Sequence, residues 1–219
     1  MIGCRPLDEQ EISSISDCFC GYMEHRNRAL FWLGVTTGFR ISELLSLTVR
    51  DVWRNDRIPE TVRIRRKSSK GRRQGQSAHI AQVARPFIRR WLFVIWERYG
   101  RDPTFPLFAS RSSKPRSISR MQAHRMLTET MALAGLDGAY GELATHSMRK
   151  TYAARMMDHF GDIFAVQKAL RHKSPASTVA YLSFDETELA HAVEIKWPEK
   201  RKHTQEVLLP QDLQLLEGE

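Results

Sequence analysis

The chain has 219 residues, of which 42% are apolar and 27% charged, and both values are ordinary for a globular protein. Its formal net charge of +9 and pI near 9.8 are not ordinary, and they favour a polyanionic partner, with nucleic acid ahead of a membrane surface. The odd cysteine count implies no disulfide framework, and without a long apolar run or a signal-peptide core we expect a cytoplasmic protein.

Helical periodicity dominates the start of the chain. Apolar residues recur at three- and four-residue steps between residues 8 and 22, which predicts an amphipathic helix. Residues 28 to 37 are apolar on nearly every face, which predicts a buried helix. Gly38 is placed to end that helix in the left-handed conformation. Ser42 then offers an N-cap to a short helix that runs through Leu47.

In the middle of the chain the spacing of apolar residues changes from a helical period to alternation. Residues 61 to 66 alternate apolar residues with arginines, which predicts a half-buried strand, and residues 77 to 81 predict a second strand after an open hairpin. Further helices are predicted from Val83 to about Tyr99, from a cap at Ser119 to Gly135, from His146 to Met157, from a cap at Asp162 to Leu170, and after Pro175. The predicted fold class is mainly α with a small antiparallel β-sheet or hairpin.

Five dispersed side chains suit chemistry at a phosphodiester. Arg40 follows the buried helix, His146 and Arg149 share one predicted helix, and His172 and Tyr181 come later. Guanidinium groups match phosphate oxygens bidentately, imidazoles exchange protons near neutrality, and a tyrosine hydroxyl can hold a phosphoryl group covalently. Taken singly, each basic residue has a plainer interpretation, as a surface ion pair, a solvated helix face or a helix-capping group.

The hairpin between the two predicted strands is strongly basic. It carries seven cations within eleven residues, namely Arg63, Arg65, Arg66, Lys67, Lys70, Arg72 and Arg73. Such a run can be a solvated charged loop, and it can also lie along DNA and neutralise phosphates. We expect the second, with Lys150, Arg171 and Lys173 adding to the DNA-binding surface.

Three segments together resemble the catalytic boxes of the tyrosine recombinase (phage integrase) family. Residues 38 to 47 resemble the first box and residues 146 to 153 resemble the HxxR box. Residues 170 to 174 resemble the last box, with Tyr181 nine residues beyond the histidine. The similarity covers about residues 6 to 185, and the layout is closest to that of small stand-alone recombinases that invert fimbrial promoters.

The resemblance implies a role for each of the five side chains. Arg40 and Arg149 would hold the non-bridging oxygens of the scissile phosphate. His146 would be the base or hydrogen-bonding partner of the nucleophile, and His172 would hydrogen-bond the phosphate. Tyr181 would be the nucleophile, forming a 3′-phosphotyrosyl bond and freeing a 5′-hydroxyl.

Two further roles complete the predicted site. Glu43 would orient the Arg40 guanidinium. In the family a lysine of the hairpin protonates the leaving 5′-oxygen, and Lys70, which precedes Gly71, fits that pattern best, with Lys67 as the rival. No metal and no other cofactor is expected, because arginines supply the positive charge and the phosphotyrosine conserves the bond energy.

The resemblance also implies an organisation and a function. We expect a catalytic domain over residues 1–185, without a separate N-terminal core-binding domain, and a C-terminal helix and acidic tail over residues 186–219. The expected function is site-specific DNA recombination, for integration, excision or inversion. The expected partners are double-stranded DNA with specific sites, further copies of the chain in a tetramer, and accessory DNA-bending proteins. The alternatives are a catalytically inactive DNA-binding regulator of the same fold and a type IB topoisomerase.

Overall fold

The computed structural model describes residues 4–64, 76–111, 116–136 and 143–171. Its elements in chain order are α1 (Glu9–Cys18), α2 (Glu24–Thr37), α3 (Ile41–Leu44), α4 (Val49–Val52), β1 (Thr61–Ile64), β2 (Gln76–His79), α5 (Arg85–Tyr99), α6 (Arg120–Leu133), α7 (Thr145–Phe160) and α8 (Ile163–Leu170). The predicted fold class, mainly α with a small antiparallel sheet, is confirmed. No helix within the described ranges is long and apolar enough to cross a membrane.

Side-chain caps set the starts of three helices. Asp8 accepts a hydrogen bond from the Glu11 amide at 2.8 Å, and the Glu11 carboxylate accepts one from the Asp8 amide at 3.0 Å. Ser119 and Gln122 form the same reciprocal pair at the start of α6. Asp162 accepts from two amides of the first turn of α8. The predicted caps at Ser119 and Asp162 are therefore confirmed.

The start of α3 differs from the prediction. Its N-cap is Arg40, in extended backbone with φ −66° and ψ 150°, and not Ser42, which lies inside the helix. The Glu43 carboxylate accepts a hydrogen bond from the Arg40 amide at 2.8 Å, so an acid in the first turn satisfies the helix entry in place of a serine hydroxyl. Two helices are also shorter than predicted, since α1 ends at Cys18 and α3 at Leu44.

The apolar core is built around α2, which packs against α5 and α7. Leu30, Phe31 and Leu33 of α2 are each 0% exposed, which confirms the buried helix. A smaller apolar cluster lies between α7 and α8 and includes Ala153 and Val166. The end of α2 therefore lies against the helix that carries the HxxR segment.

Two glycines allow α2 and α7 to approach closely. A Cβ atom at Gly34 would lie 2.5 Å from the sulfur of Met148, and one at Gly38 would overlap the ring of Tyr152. Gly38 also has φ 61°, as predicted for the residue that ends α2. Tyr152, on α7, consequently packs against the turn that follows α2.

The two strands pair in an antiparallel hairpin. The register places Thr61 opposite His79 and Arg63 opposite Ser77. Apolar residues of β1 and β2 are buried, whereas Arg63 on the other face is exposed. The exposed face of the sheet is therefore polar, and residues 65–75, which connect the strands in the sequence, lie outside the described residues.

Candidate active site

Arg40, His146 and Arg149 meet where the end of α2 lies against the start of α7. Arg40 follows the Gly38 turn by two residues, and an Arg149 Nη1 donates a hydrogen bond to the Gly38 carbonyl oxygen. His146 precedes Arg149 by one helical turn, so both side chains lie on the same side of α7. The fold thus brings together three of the predicted site residues that are far apart in the sequence.

Glu43 holds Arg40 through two contacts. One carboxylate oxygen accepts from the Arg40 amide at 2.8 Å, and the other lies 3.3 Å from Arg40 Nη1. The Glu43 side chain is 5% exposed and the Arg40 side chain 39% exposed. A buried carboxylate therefore anchors a guanidinium that still reaches the surface, an arrangement suited to binding an external anion.

Arg149 is buried, at 1% exposure. Besides the Gly38 carbonyl, its guanidinium donates to the Leu170 carbonyl at 2.8 Å, where α8 ends. Arg149 therefore joins the ends of α2 and α8. The sequence predicted a phosphate ligand here, and it gave no sign of these two contacts with the backbone.

His146 reaches the surface but is partly covered by its neighbours, and the pKa of its imidazole is lowered from the usual value. Partial burial of the imidazole is the first cause, followed by the positive charges of Arg149, Arg40 and Lys150. These four side chains therefore lie close enough together for their charges to interact. The lowered pKa favours the neutral imidazole, which is the form that accepts a proton.

Arg171 was expected to contact DNA, and the structure directs it elsewhere. Its guanidinium donates to the Ser77 carbonyl at 2.9 Å and to the Thr37 carbonyl at 2.8 Å. The group also lies 4.4 Å from the centre of the Phe39 ring. The side chain faces its own protein because backbone carbonyls of two segments converge on it, so the geometry gives the expected DNA contact no support.

The remaining predicted site residues divide into two groups. Arg63 is exposed on β1 and Lys150 is half-buried on α7. The others lie outside the described residues: Arg65, Arg66, Lys67, Lys70, Arg72, Arg73, His172, Lys173 and Tyr181. Within the described ranges, no group of three or more His, Cys, Asp or Glu side chains is arranged to hold a metal ion.

The structure adds an exposed basic face that the sequence analysis missed. Helix α6 packs against α3, the helix that follows Arg40. Its first two turns expose Arg120, Met121, His124 and Arg125, with Met121 at 70% exposure. The signal in the sequence was three basic residues on the side of α6 opposite its apolar positions.

Comparison with known proteins identifies the family. The model of the phage integrase family matches residues 5–188. The probable integrase/recombinase YoeC of Bacillus subtilis is 29% identical over 168 residues, which are 75% of this chain and 83% of the relative. The tyrosine recombinase XerD of Corynebacterium glutamicum is 31% identical over 156 residues, 71% of this chain and 47% of the relative. The chain thus spans about half the length of that relative.

Solved structures share the fold. The crystal structure of XerA recombinase superposes with a TM-score of 0.70 at 20% identity, over 90% of this chain and 66% of that one. XerH site-specific recombinase bound to its palindromic difH substrate, in a post-cleavage complex, gives 0.67 at 22% identity, over 89% and 54%. From the extent of the family match and the shared fold, the chain belongs to the phage integrase family of tyrosine recombinases.

Proposed function

We propose that this chain cleaves and rejoins DNA strands at specific sites, with Tyr181 as the nucleophile. The observation that carries the proposal is the convergence of Arg40, His146 and Arg149 at one junction between helices. It supplies an anchored, surface-reaching cation and an imidazole with a lowered pKa side by side. Family membership and the DNA-bound state of XerH support the same proposal.

The proposed reaction balances without a cofactor. The Tyr181 hydroxyl oxygen attacks the scissile phosphorus, and neutral His146 takes or shares the hydroxyl proton. The bond from phosphorus to the 5′-oxygen breaks, leaving a 3′-phosphotyrosine. Lys70, with Lys67 as the rival, gives a proton to the departing 5′-oxygen. Religation is the same path in reverse, with a 5′-hydroxyl as the nucleophile.

The negative charge of the phosphorane explains why the proposed site needs arginines. Negative charge gathers on the equatorial oxygens in the transition state, and a fixed guanidinium stabilises it more than it stabilises the ground state. Glu43 fixes Arg40 for this task, and Arg149 holds the Gly38 turn from which Arg40 extends. His172 would hydrogen-bond the same phosphate.

DNA would lie across the basic surface around this junction. Arg63 on the hairpin, Lys150 on α7 and the exposed face of α6 contribute cations to it. We propose that residues 1–185 form the catalytic domain and that residues 186–219 form a C-terminal helix and tail. Recombination would proceed in a tetramer on DNA, with accessory DNA-bending proteins, in the cytoplasm.

A nicked suicide duplex tests the proposal, because loss of a short fragment after cleavage prevents religation. The duplex would carry the site recovered by sequencing DNA trapped on the protein. We expect a covalent protein–DNA adduct on a denaturing gel with the wild type and none with Tyr181→Phe, which should bind the duplex equally. A regulator would give no adduct with either protein, and a topoisomerase would relax supercoils without a specific site.

A further inference from the structure

Arg171 has an unusual backbone conformation. Its φ is 58°, in the left-handed region, and it occupies the C-cap of α8, where glycine is the usual residue. The other non-glycine residues with positive φ in the described ranges are Asn55 and Asp56. Asn and Asp tolerate this region because their short side chains bond locally, whereas arginine has no such compensation. An arginine in this strained conformation therefore indicates that its side chain makes contacts that offset the strain.

The Arg171 guanidinium makes three such contacts. It donates to Ser77 on β2 at 2.9 Å and to Thr37 at the end of α2 at 2.8 Å. It also lies 4.4 Å from the centroid of the Phe39 ring. One planar group therefore joins the hairpin, the end of α2 and the end of α8.

The position of these contacts relates them to the site. Thr37 and Phe39 flank Gly38, whose carbonyl accepts from Arg149, and Phe39 directly precedes Arg40. On the other side, Ser77 pairs with Arg63 in the hairpin. Arg171 thus spans the gap between the hairpin and the segment that carries Arg40.

We propose that Arg171 is a positioning residue that fixes the β1–β2 hairpin against the Arg40 segment. The proposal rests on the proposed function for its catalytic consequence. It assigns Arg171 no contact with the phosphate. If the hairpin supplies the acid for the leaving 5′-oxygen, loss of this connection should impair protonation of that oxygen more than stabilisation of the phosphorane.

Three variants separate the side chain from the backbone. Arg171→Gly accepts the left-handed conformation and removes the guanidinium. Arg171→Ala removes the guanidinium and keeps the backbone strain. Arg171→Lys keeps the charge, but a single ammonium cannot reproduce the fork that spans two carbonyls. If only the backbone turn matters, Arg171→Gly will behave as wild type, and the proposal is overturned.

Hydrogen exchange tests the connection without any need for activity. In Arg171→Gly we expect the amides of β2 to exchange about tenfold faster than in wild type, while those of α5 are unchanged. Equal exchange in β2 would overturn the proposal. If Arg171→Ala fails to fold, Arg171→Gly and Arg171→Lys still give the comparison.

Kinetics then tests the consequence. Arg171→Gly should slow cleavage of an ordinary duplex about a hundredfold. A 5′-bridging phosphorothioate, whose leaving thiolate needs no proton, should restore the rate to near that of the wild type. The slope of log Kd against log salt should not change, whereas loss of a phosphate contact would lower it by about 0.9. A lowered slope, or no rescue by sulfur, would overturn the proposal. If wild type cleaves neither duplex, the proposed function fails, and the exchange result alone decides the role of Arg171.

Discussion

The Arg149 guanidinium donates a hydrogen bond to the carbonyl oxygen of Gly38, which lies 111 residues earlier in the chain. One helical turn further along α7, the ring of Tyr152 covers Gly38 so closely that a Cβ atom has no room. Two residues of α7 therefore hold the turn that precedes Arg40. The position of the exposed arginine depends on the buried one.

Arg40→Ala and Arg149→Ala should be similar in kinetics and different in stability. Each should slow cleavage about a hundredfold, Arg40→Ala because a transition-state donor is removed and Arg149→Ala because the turn that positions Arg40 loses its hydrogen bond. Arg149→Ala should also lower the free energy of unfolding by about 3 kcal/mol, because two buried carbonyls lose their donor. Arg40→Ala should cost about 1 kcal/mol, because its side chain is 39% exposed.

Denaturant unfolding and single-turnover cleavage of the two variants measure these differences. Arg149→Lys should rescue cleavage poorly, since a point charge cannot replace the fork. An Arg149→Ala protein as stable as wild type would contradict the structural role of the guanidinium. A fully active Arg149→Lys protein would show that the fork is not needed.

Gly38→Ala should be strongly destabilising. The change forces alanine to φ 61° and drives a Cβ atom into the Tyr152 ring, and together these cost about 3 kcal/mol of unfolding free energy. Gly161→Ala is the matched control, because Gly161 also has φ 61° and no atom of the described residues lies within 4 Å of its added Cβ. The control should lose only the backbone part, about 1 kcal/mol.

The steric part can be isolated by a double-mutant cycle. Tyr152→Ala removes the ring that the new methyl group would meet, so Gly38→Ala should cost about 2 kcal/mol less in that background. Urea unfolding of the four proteins gives the coupling free energy. Additive costs would mean that the contact between Gly38 and Tyr152 is not tight.

Cleavage should persist at mildly acidic pH. The pKa of His146 lies below its usual value because of partial burial and then the charges of Arg149, Arg40 and Lys150. If neutral His146 is the base, the acidic limb of the rate profile should fall below about pH 6.5. Lys150→Gln removes one of these charges and should move the limb to higher pH, whereas Lys168→Gln on α8 should not.

The same shift has a consequence for stability. The folded-state pKa is lower than the unfolded one, so the unfolded chain binds more protons between the two values. The contribution of His146 to folding therefore becomes less favourable as pH falls through that window. Titration of the His146 ring by NMR checks the direction, and a pKa above its usual value would contradict it.

DNA binding should weaken steeply with salt. If about six phosphates are neutralised, affinity should fall about a thousandfold between 50 and 200 mM salt. Arg63→Gln, which removes an exposed cation of β1, should lower the salt slope by about 0.9. Arg155→Gln should leave the slope unchanged, because Arg155 lies nine residues after His146 on α7, which places it on the opposite side of the helix, near Glu9. Equal salt slopes for wild type and Arg63→Gln would show that Arg63 on β1 does not contact DNA.

The sequence predicted the fold and the position of the motifs well where the signal is local. The buried helix before Gly38 and the caps at Ser119 and Asp162 follow from short patterns, and the structure confirms them. The expected cap at Ser42 was wrong because Glu43, one residue later, satisfies the helix entry instead. The sequence predicted Ser42 as the cap and Glu43 only as the residue that orients Arg40, and the geometry shows that Glu43 also accepts from the amide at the helix entry.

The long-range contacts of the arginines could not be predicted from the sequence. Arg149 and Arg171 both carry the charge expected of a phosphate ligand, yet both guanidinium groups donate to backbone carbonyls. Every residue has such a carbonyl, so no sequence pattern marks the ones that will receive an arginine. The exposed cations of α6 were visible in the sequence, but their place beside α3 depends on packing.

Peptide mapping of the covalent adduct tests the proposed chemistry most directly. The wild-type protein trapped on a suicide duplex would be digested, and the peptide that carries the nucleotide identified by mass spectrometry. We expect the nucleotide on Tyr181, joined through a 3′-phosphate, and no adduct from Tyr181→Phe. A nucleotide on Tyr152 or any other residue, or an adduct that survives in Tyr181→Phe, would contradict the assignment of the nucleophile.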